Sequence, residues 1–366
     1  MKIAVIGGGV IGMSCALHLA RAGMQVSLLT EKKLASGASG RSLSWLNAAG
    51  PWPDHYYRLR MAGIDRYRTL YRSNPAVDWL KFDGGIFWSD EDEVLAWHAI
   101  EQRRGYDSML IQADDLNRLD AAIVPGAVKT HGIYNAGEGW VSLPDLIAHM
   151  AAEFSERSGA IIEDAGKTVP LIDARGVANG VTSARKGDYA CDKVLLACGP
   201  STVQVLAGMG ISLPDGSVLS MLAITQPADS RPAVVLNTPR VAMRPNPGNT
   251  LAVEHGWCTD DIKEDEHGVC TVPDDVLQQL LAEGDHVLNT DSPLKLAGYK
   301  AGWKPVPADG FPVLGELEQA PGCYVAFTHS GATLALIIGE LLGREIATGE
   351  LHPMLAPFRP GRFQSP

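Results

Sequence analysis

Gly7-Gly8-Gly9-Val10-Ile11-Gly12 lies between a β-branched apolar run at residues 2–6 and a helical run reaching Ala22. In a strand, turn and helix of this kind the glycines have separate tasks. Gly7 permits the tight turn, Gly9 lets the backbone approach a pyrophosphate at the helix N-terminus, and Gly12 allows helix and strand to pack closely. Val10 and Ile11 open the helix, and Ile11, Cys15, Ala16 and Leu19 share one face at the helical period. Gly23 supplies a stop, residues 25–30 read as a second buried strand, and Glu31 ends it with Lys32 alongside. An acid at this point, nineteen residues beyond Gly12, accepts from ribose hydroxyls. A glycine triplet alone is weak, because flexible turns produce it by chance. Strand, helix and terminal acid in register point to a bound dinucleotide; the alternative is a glycine-rich turn without ligand. NAD and FAD present the same ADP moiety, so this unit does not separate them.

Two further stretches bear on that choice. Residues 35–47 contain Ser39, Gly40, Arg41, Ser42, Leu46 and Asn47, small and hydroxyl-rich but including Trp45, which suits close backbone approach to a flat ligand. Near the other end, residues 298–305 carry Trp303 and Lys304. They lead through Asp309-Gly310-Phe311-Pro312-Val313-Leu314-Gly315 to a strand at 323–327 and then His329-Ser330-Gly331. Leu334, Ile337, Ile338, Leu341 and Leu342 beyond it keep the 3.6-residue period of an amphipathic helix. Ser330, Gly331, Ala332 and Thr333 therefore open a helix whose N–H groups offset negative charge, such as develops at the N1 and C2 edge of a flavin accepting hydride. The alternative is an ordinary turn glycine before a helix.

The chain around these motifs is an ordinary globular one. Its 366 residues are 46% hydrophobic and 20% charged, enough for one large or two joined domains. Lys and Arg number 31 against 42 Asp and Glu, a net charge of −11 with no basic run, which argues against a nucleic-acid partner. The six cysteines lack paired spacing and read as reduced thiols of a cytoplasmic protein. No signal sequence and no long apolar run is present, so membrane insertion is not expected. His and Cys show no ligand spacing, and no metal is assigned.

Taken in order, these segments resemble the D-amino acid oxidase family of FAD-dependent amine and amino acid oxidoreductases, which includes glycine and sarcosine oxidases and D-amino acid dehydrogenases. The 309–315 stretch with its following strand and His-Ser-Gly is the most particular. Gly139-Trp140-Val141-Ser142-Leu143-Pro144, Ser158-Gly159-Ala160 and 193–200 match the family's middle segment. The resemblance implies an α/β fold with two domains. One is a Rossmann-like FAD domain with a central parallel sheet, from 1–85, 140–215 and 297–366. The other is a mainly antiparallel substrate domain, from 86–139 and 216–296. Val169, Ala197 and Gly199 join the expected cofactor contacts. Alternating stretches at 217–225 and 240–243 suit the antiparallel sheet.

The implied reaction is oxidation of a C–N bond in a small amino acid or secondary amine acid, such as glycine, sarcosine, a D-amino acid or an iminodiacetate-like compound. Hydride passes to flavin N5, and the resulting imine hydrolyses. Oxygen or another electron acceptor then takes the electrons. An acidic substrate needs a cationic anchor. Lys304 stands where relatives usually carry an arginine, and a lysine keeps the ion pair but loses the bidentate fork. Arg244, closing the alternating stretch, is the second anchor candidate. His329 is positioned to hydrogen-bond cofactor or substrate, although it reads equally as packing, and Trp45 and Trp303 are candidates to wall the ring, although tryptophans more often belong to a core. No cysteine lies between Cys270 and Cys323, so FAD is expected to be non-covalent. Alternative readings are a dehydrogenase using a quinone or protein acceptor, a tRNA-modification module, and an NAD enzyme using the first motif alone.

Overall fold

The N-terminal apolar run forms β1 (Lys2–Ile6), and the glycine turn delivers the chain into α1 (Val10–Arg21) and then β2 (Gln25–Leu29). This computed structural model describes residues 1–363, the Asn117 side chain excepted. The chain divides into two compact units. Met1–Gly40, Leu143–Val218 and Trp303 onward make the first, and Arg41–Ser142 with Leu219–Gly302 the second.

In the first unit β1 sits inside a six-stranded sheet ordered Val313–Leu317, Ala320–Phe327, Lys193–Leu196, β1, β2, Ala160–Ile162. Every pairing is parallel except that between the first two strands. Strands covered on both faces must be apolar throughout, and Ile6, Leu29, Val194, Leu196, Val325 and Phe327 share one buried cluster. The C-terminal helix Gly331–Thr348 lies against α1. A Cβ added at Gly339 would come within 2.1 Å of Ser14 Oγ, and one at Gly343 within 3.1 Å of His18 Cβ, so the two backbones approach where side chains are missing. At the far end of this helix the buried Glu345 carboxylate accepts both guanidinium Nη atoms of Arg359, at 2.5 and 2.7 Å, and the His352 N–H at 2.5 Å. That pair clamps the segment following Gly349. A separate three-stranded antiparallel sheet comprises Thr168–Ile172, Ala178–Ser183 and Gly187–Ala190.

The second unit is organised by an eight-stranded sheet ordered Leu296–Lys304, Val218–Thr225, Thr250–Glu254, Ala242–Asn246, Val235–Asn237, Gly85–Phe87, Gly132–Asn135, Met109–Ile111. From Val218–Thr225 onward the pairings are antiparallel except Val235–Asn237 with Gly85–Phe87. Ile86, Ile111, Met221, Leu236, Met243 and Leu251 bury one face beside Leu277 and Leu280 of the helix Asp274–Val287. β3 (Trp45–Leu46) pairs antiparallel with Gly139–Val141, which also pairs with Leu80–Lys81. Ile64 of α2 (Asp54–Ser73) packs with Ala48, Ala49 and Tyr106.

The expected fold class, a parallel sheet plus a mainly antiparallel region, is the one observed. The division of the chain falls elsewhere than 85/86: residues 41–85 pack in the second unit, because β3 and α2 find their partners there. No change of composition at residue 40 announces this. The strand expected at 240–243 begins at Ala242, since a tight turn precedes it in which Thr238 Oγ1 accepts the Val241 N–H at 3.0 Å.

Candidate functional site

In the first unit the carboxyl ends of β1, β2 and Lys193–Leu196 meet two helix N-termini. Gly7 has φ +125°, a conformation that side chains resist, and a Cβ there would lie 2.1 Å from the Ala197 carbonyl oxygen. A Cβ on Gly12 would lie 2.0 Å from the Gly7 carbonyl oxygen. Gly9 at the N-cap of α1 has no side chain to cap it, and the first turn holds no acidic residue. Ser39 Oγ accepts the Val10 N–H at 2.9 Å and ties the 38–40 turn to this point. The helix Gly331–Thr348 begins alongside: a Cβ added at Gly331 would lie 3.8–4.0 Å from the Ile11 and Val10 side chains, and the first turn again holds no acid.

Around this cradle, Gly199 turns the chain after Ala197 with φ +57°. Glu31 follows β2 with its carbonyl accepting the Gly166 N–H at 3.1 Å, while its exposed carboxylate makes no ion pair among the described residues. Lys32 is exposed beside it, its carbonyl accepting the Asp164 N–H at 3.1 Å. Burial pushes the Cys198 thiol up to about 12, so it is not a thiolate near neutral pH. Val169 lies in the separate three-stranded sheet, paired with Thr182. His329 is exposed, its Nδ1 3.4 Å from Ser330 Oγ. Trp303 is 40% exposed, and Lys304 is half-buried with no ion pair or hydrogen bond from its ammonium among the described residues.

The second unit holds the other expected residues. Arg244 is buried in mid-strand. Its guanidinium donates to the Leu43 carbonyl, to the Pro245 carbonyl at 2.7 Å and to Asn246 Oδ1 at 3.0 Å, and lies 5.0 Å over the Trp140 ring. Arg41 is half-buried against the Gly302 backbone, and desolvation lowers its pKa. Ser42 Oγ accepts the Ser44 N–H at 3.2 Å, and Leu46 is wholly buried. Asn47 donates to the Trp45 carbonyl at 3.3 Å and accepts from Arg60 Nη2 at 2.7 Å.

A buried polar cluster there was not among the sequence expectations. Trp45 Nε1 donates to Glu138 at 2.7 Å, and the Tyr106 hydroxyl donates to its other oxygen at 2.6 Å. Burial, reinforced by the Glu101 charge, pushes the Glu138 carboxyl up to about 8 against the opposing pull of Tyr106, Trp45 and Arg60. Tyr106 is pushed up as well, first by burial and then by Glu138. The only sequence sign is an acid between Gly137 and Gly139, which reads as a turn.

An open parallel sheet with a glycine turn feeding a helix, an acid past the second strand and a second helix N-terminus alongside defines a dinucleotide-binding oxidoreductase fold. The FAD-dependent oxidoreductase (DAO) family model matches residues 2–345, and the chain belongs to that family. The residues present are compatible with FAD: the glycines keep side chains away from the helix end, and Glu31 past β2 is exposed. Glycine oxidase of Pseudomonas putida is 27% identical over 98% of both chains. An opine oxidase subunit of Agrobacterium tumefaciens is 24% identical, covering 100% of this chain and 98% of its own. The solved glycine oxidase of Geobacillus kaustophilus superposes with a TM-score of 0.82 at 22% identity over the whole of both chains, which speaks for the fold. No helix among the described residues is long and apolar enough to cross a membrane.

Proposed function

We propose that the protein oxidises the C–N bond of a small amino acid or secondary amine acid, with FAD held non-covalently by the first unit. The carrying observation is the glycine cradle with two helix N-termini whose first turns hold no acid, in a family whose full-length relatives include a glycine oxidase and a component of an opine oxidase. Bound FAD supplies a two-electron acceptor for the hydride on the carbon bearing nitrogen. Gly7 and Gly12 keep side chains out of the cradle, Gly9 lets the backbone at the start of the Val10–Ile11 turn approach its phosphates, Glu31 accepts from its ribose, and Ser330–Thr333 set the positive end of a helix toward charge that develops on reduction. Ser39, Gly40, Arg41, Ser42, Leu46 and Asn47 are our further candidate cofactor contacts, with Trp45 and Trp303 as candidate ring walls and His329 as a candidate hydrogen-bonding group. Cys15, Cys198 and Cys323 have thiols raised to about 12 by burial, which supports a flavin without a thioether link. Six free thiols suit a reducing compartment, and we assign the reaction to the cytoplasm.

For the substrate carboxylate, Lys304 is the better anchor of the two cations. Its ammonium has no counter-charge among the described residues, whereas Arg244 is only 2% exposed and already committed to carbonyl oxygens and the Trp140 face. A point-charge lysine holds one carboxylate without imposing a bidentate orientation, which suits a small or variable substrate.

The test is anaerobic bleaching of the flavin by glycine, sarcosine, D-amino acids, proline derivatives and dicarboxylic secondary amines. At least one should reduce the flavin within the enzyme's turnover time; no bleaching by any amine overturns the reading. Oxygen uptake with the same amine identifies the acceptor. Acid precipitation should leave the yellow colour in the supernatant.

A further inference from the structure

The segment 45–50 is held by buried polar side chains from α2, from the end of the helix Glu91–Arg103 with the turn after it, and from the strand region 135–138. Glu138, with 0% exposure, has both oxygens occupied: Oε2 accepts the Trp45 indole N–H at 2.7 Å and Oε1 the Tyr106 hydroxyl at 2.6 Å. The Tyr106 oxygen accepts the Ala48 N–H at 3.0 Å. Glu101, 2% exposed, accepts the Gly50 N–H at 3.2 Å and Asn135 Nδ2 at 3.1 Å. Arg60, 4% exposed, donates from Nε to the Asn47 carbonyl at 3.1 Å and from Nη2 to Asn47 Oδ1 at 2.7 Å. Side-chain and backbone atoms of this segment are therefore fixed by groups far away in sequence.

We propose that Glu138 is a positioning residue for the reaction: its carboxylate fixes the Trp45 indole and, through Tyr106, the 45–50 chain, and gaining a proton loosens that hold. This rests on the reading that Trp45, Leu46 and Asn47 face the cofactor. A carboxylate is an acceptor only, and here it serves two donors with short, charge-assisted bonds. A carboxylic acid brings a proton of its own, so indole, phenol and acid would offer three donors to too few acceptors, and one bond is lost. The charged groups facing Glu138 are Glu101 and Arg60, with Tyr106 the titratable neighbour. Burial dominates and raises its ionisation to about 8, so both forms are populated at moderately alkaline pH.

The experiment follows the FAD-loaded enzyme from pH 6 to 9.5 by flavin absorbance, by tryptophan emission as the difference between wild type and Trp45→Phe, and by kcat and KM for the amine that bleaches it. In the wild type all three signals should share one ionisation, and kcat should rise about tenfold as Glu138 ionises while KM moves less than about twofold. Glu138→Gln should abolish that ionisation, and Glu138→Asp should restore part of it. If Glu138→Gln fails to fold or load, Trp45→Phe keeps the acid, removes one donor and should move the ionisation upward. A flavin spectrum and kcat profile unchanged in Glu138→Gln, or an unmoved ionisation in Trp45→Phe, overturns the proposal. Failure of every amine to bleach the wild type sinks the proposed function instead, and leaves the emission and flavin titrations to decide the role of Glu138.

Discussion

The cradle of the first unit is defined by side chains that are missing, and the cluster of the second by side chains that are buried and ionisable. At Gly7 and Gly12 the chain passes carbonyl oxygens so closely that a methyl group would meet them at 2.0–2.1 Å. At Glu138, Glu101 and Arg60 three ionisable groups are almost fully removed from water, each with specific acceptors or donors. The first kind of construction is damaged by adding atoms. The second is damaged by removing a partner, since a buried donor left unsatisfied costs about 1–3 kcal/mol.

The largest effect that contrast implies is at Gly7. Gly7→Ala forces both a strained φ and an overlap with Ala197, and should cost roughly 3 kcal/mol or more while abolishing bound flavin. The ratio of visible to ultraviolet absorbance of the purified protein reads this, and a yellow, stable variant would break the contrast. Arg359→Ala asks whether the first unit also contains a site of the second kind. It strands the buried Glu345 carboxylate and should lower stability by about 3–5 kcal/mol in urea unfolding, whereas replacing both partners by Met and Leu should recover most of the loss. For Glu138 the sign is fixed by the raised folded-state value. Between the unfolded value and about 8 the folded protein holds the extra proton, so its contribution to stability is present at pH 4–5 and lost as pH climbs to 8. Unfolding midpoints should therefore decline less steeply over that window in Glu138→Gln than in wild type. The smallest effect belongs to Lys304→Ala, which should raise KM for an acidic amine about tenfold with flavin content unchanged.

The same contrast explains what could be read from the chain. A backbone cradle is written in contiguous residues, so Gly7 to Gly12, Glu31 and Ser330 to Thr333 are visible as spacing, and the structure gathers the two glycine-bearing helix starts at one sheet edge. The Glu138 cluster joins residues 45, 60, 101, 106, 135 and 138, each except Trp45 unremarkable alone, and only tertiary packing brings them together. The division at Gly40 was hidden for a related reason: β3 belongs to the unit that supplies its partner strand, and a two-residue strand has no period to read. Arg244 reads from sequence as closing its strand, but its pairing with Ala252 places it inside the sheet.

Gly339 against Ser14 and Gly343 against His18 let two helices touch backbone to backbone over successive turns. Interlocked in this way, neither can slide or roll without collision, so their starting points behave as fixed jaws of one calliper. The gap between those jaws is then set by the core of the first unit, so on the proposed reading substrate choice could change elsewhere without resetting the grip on the nucleotide.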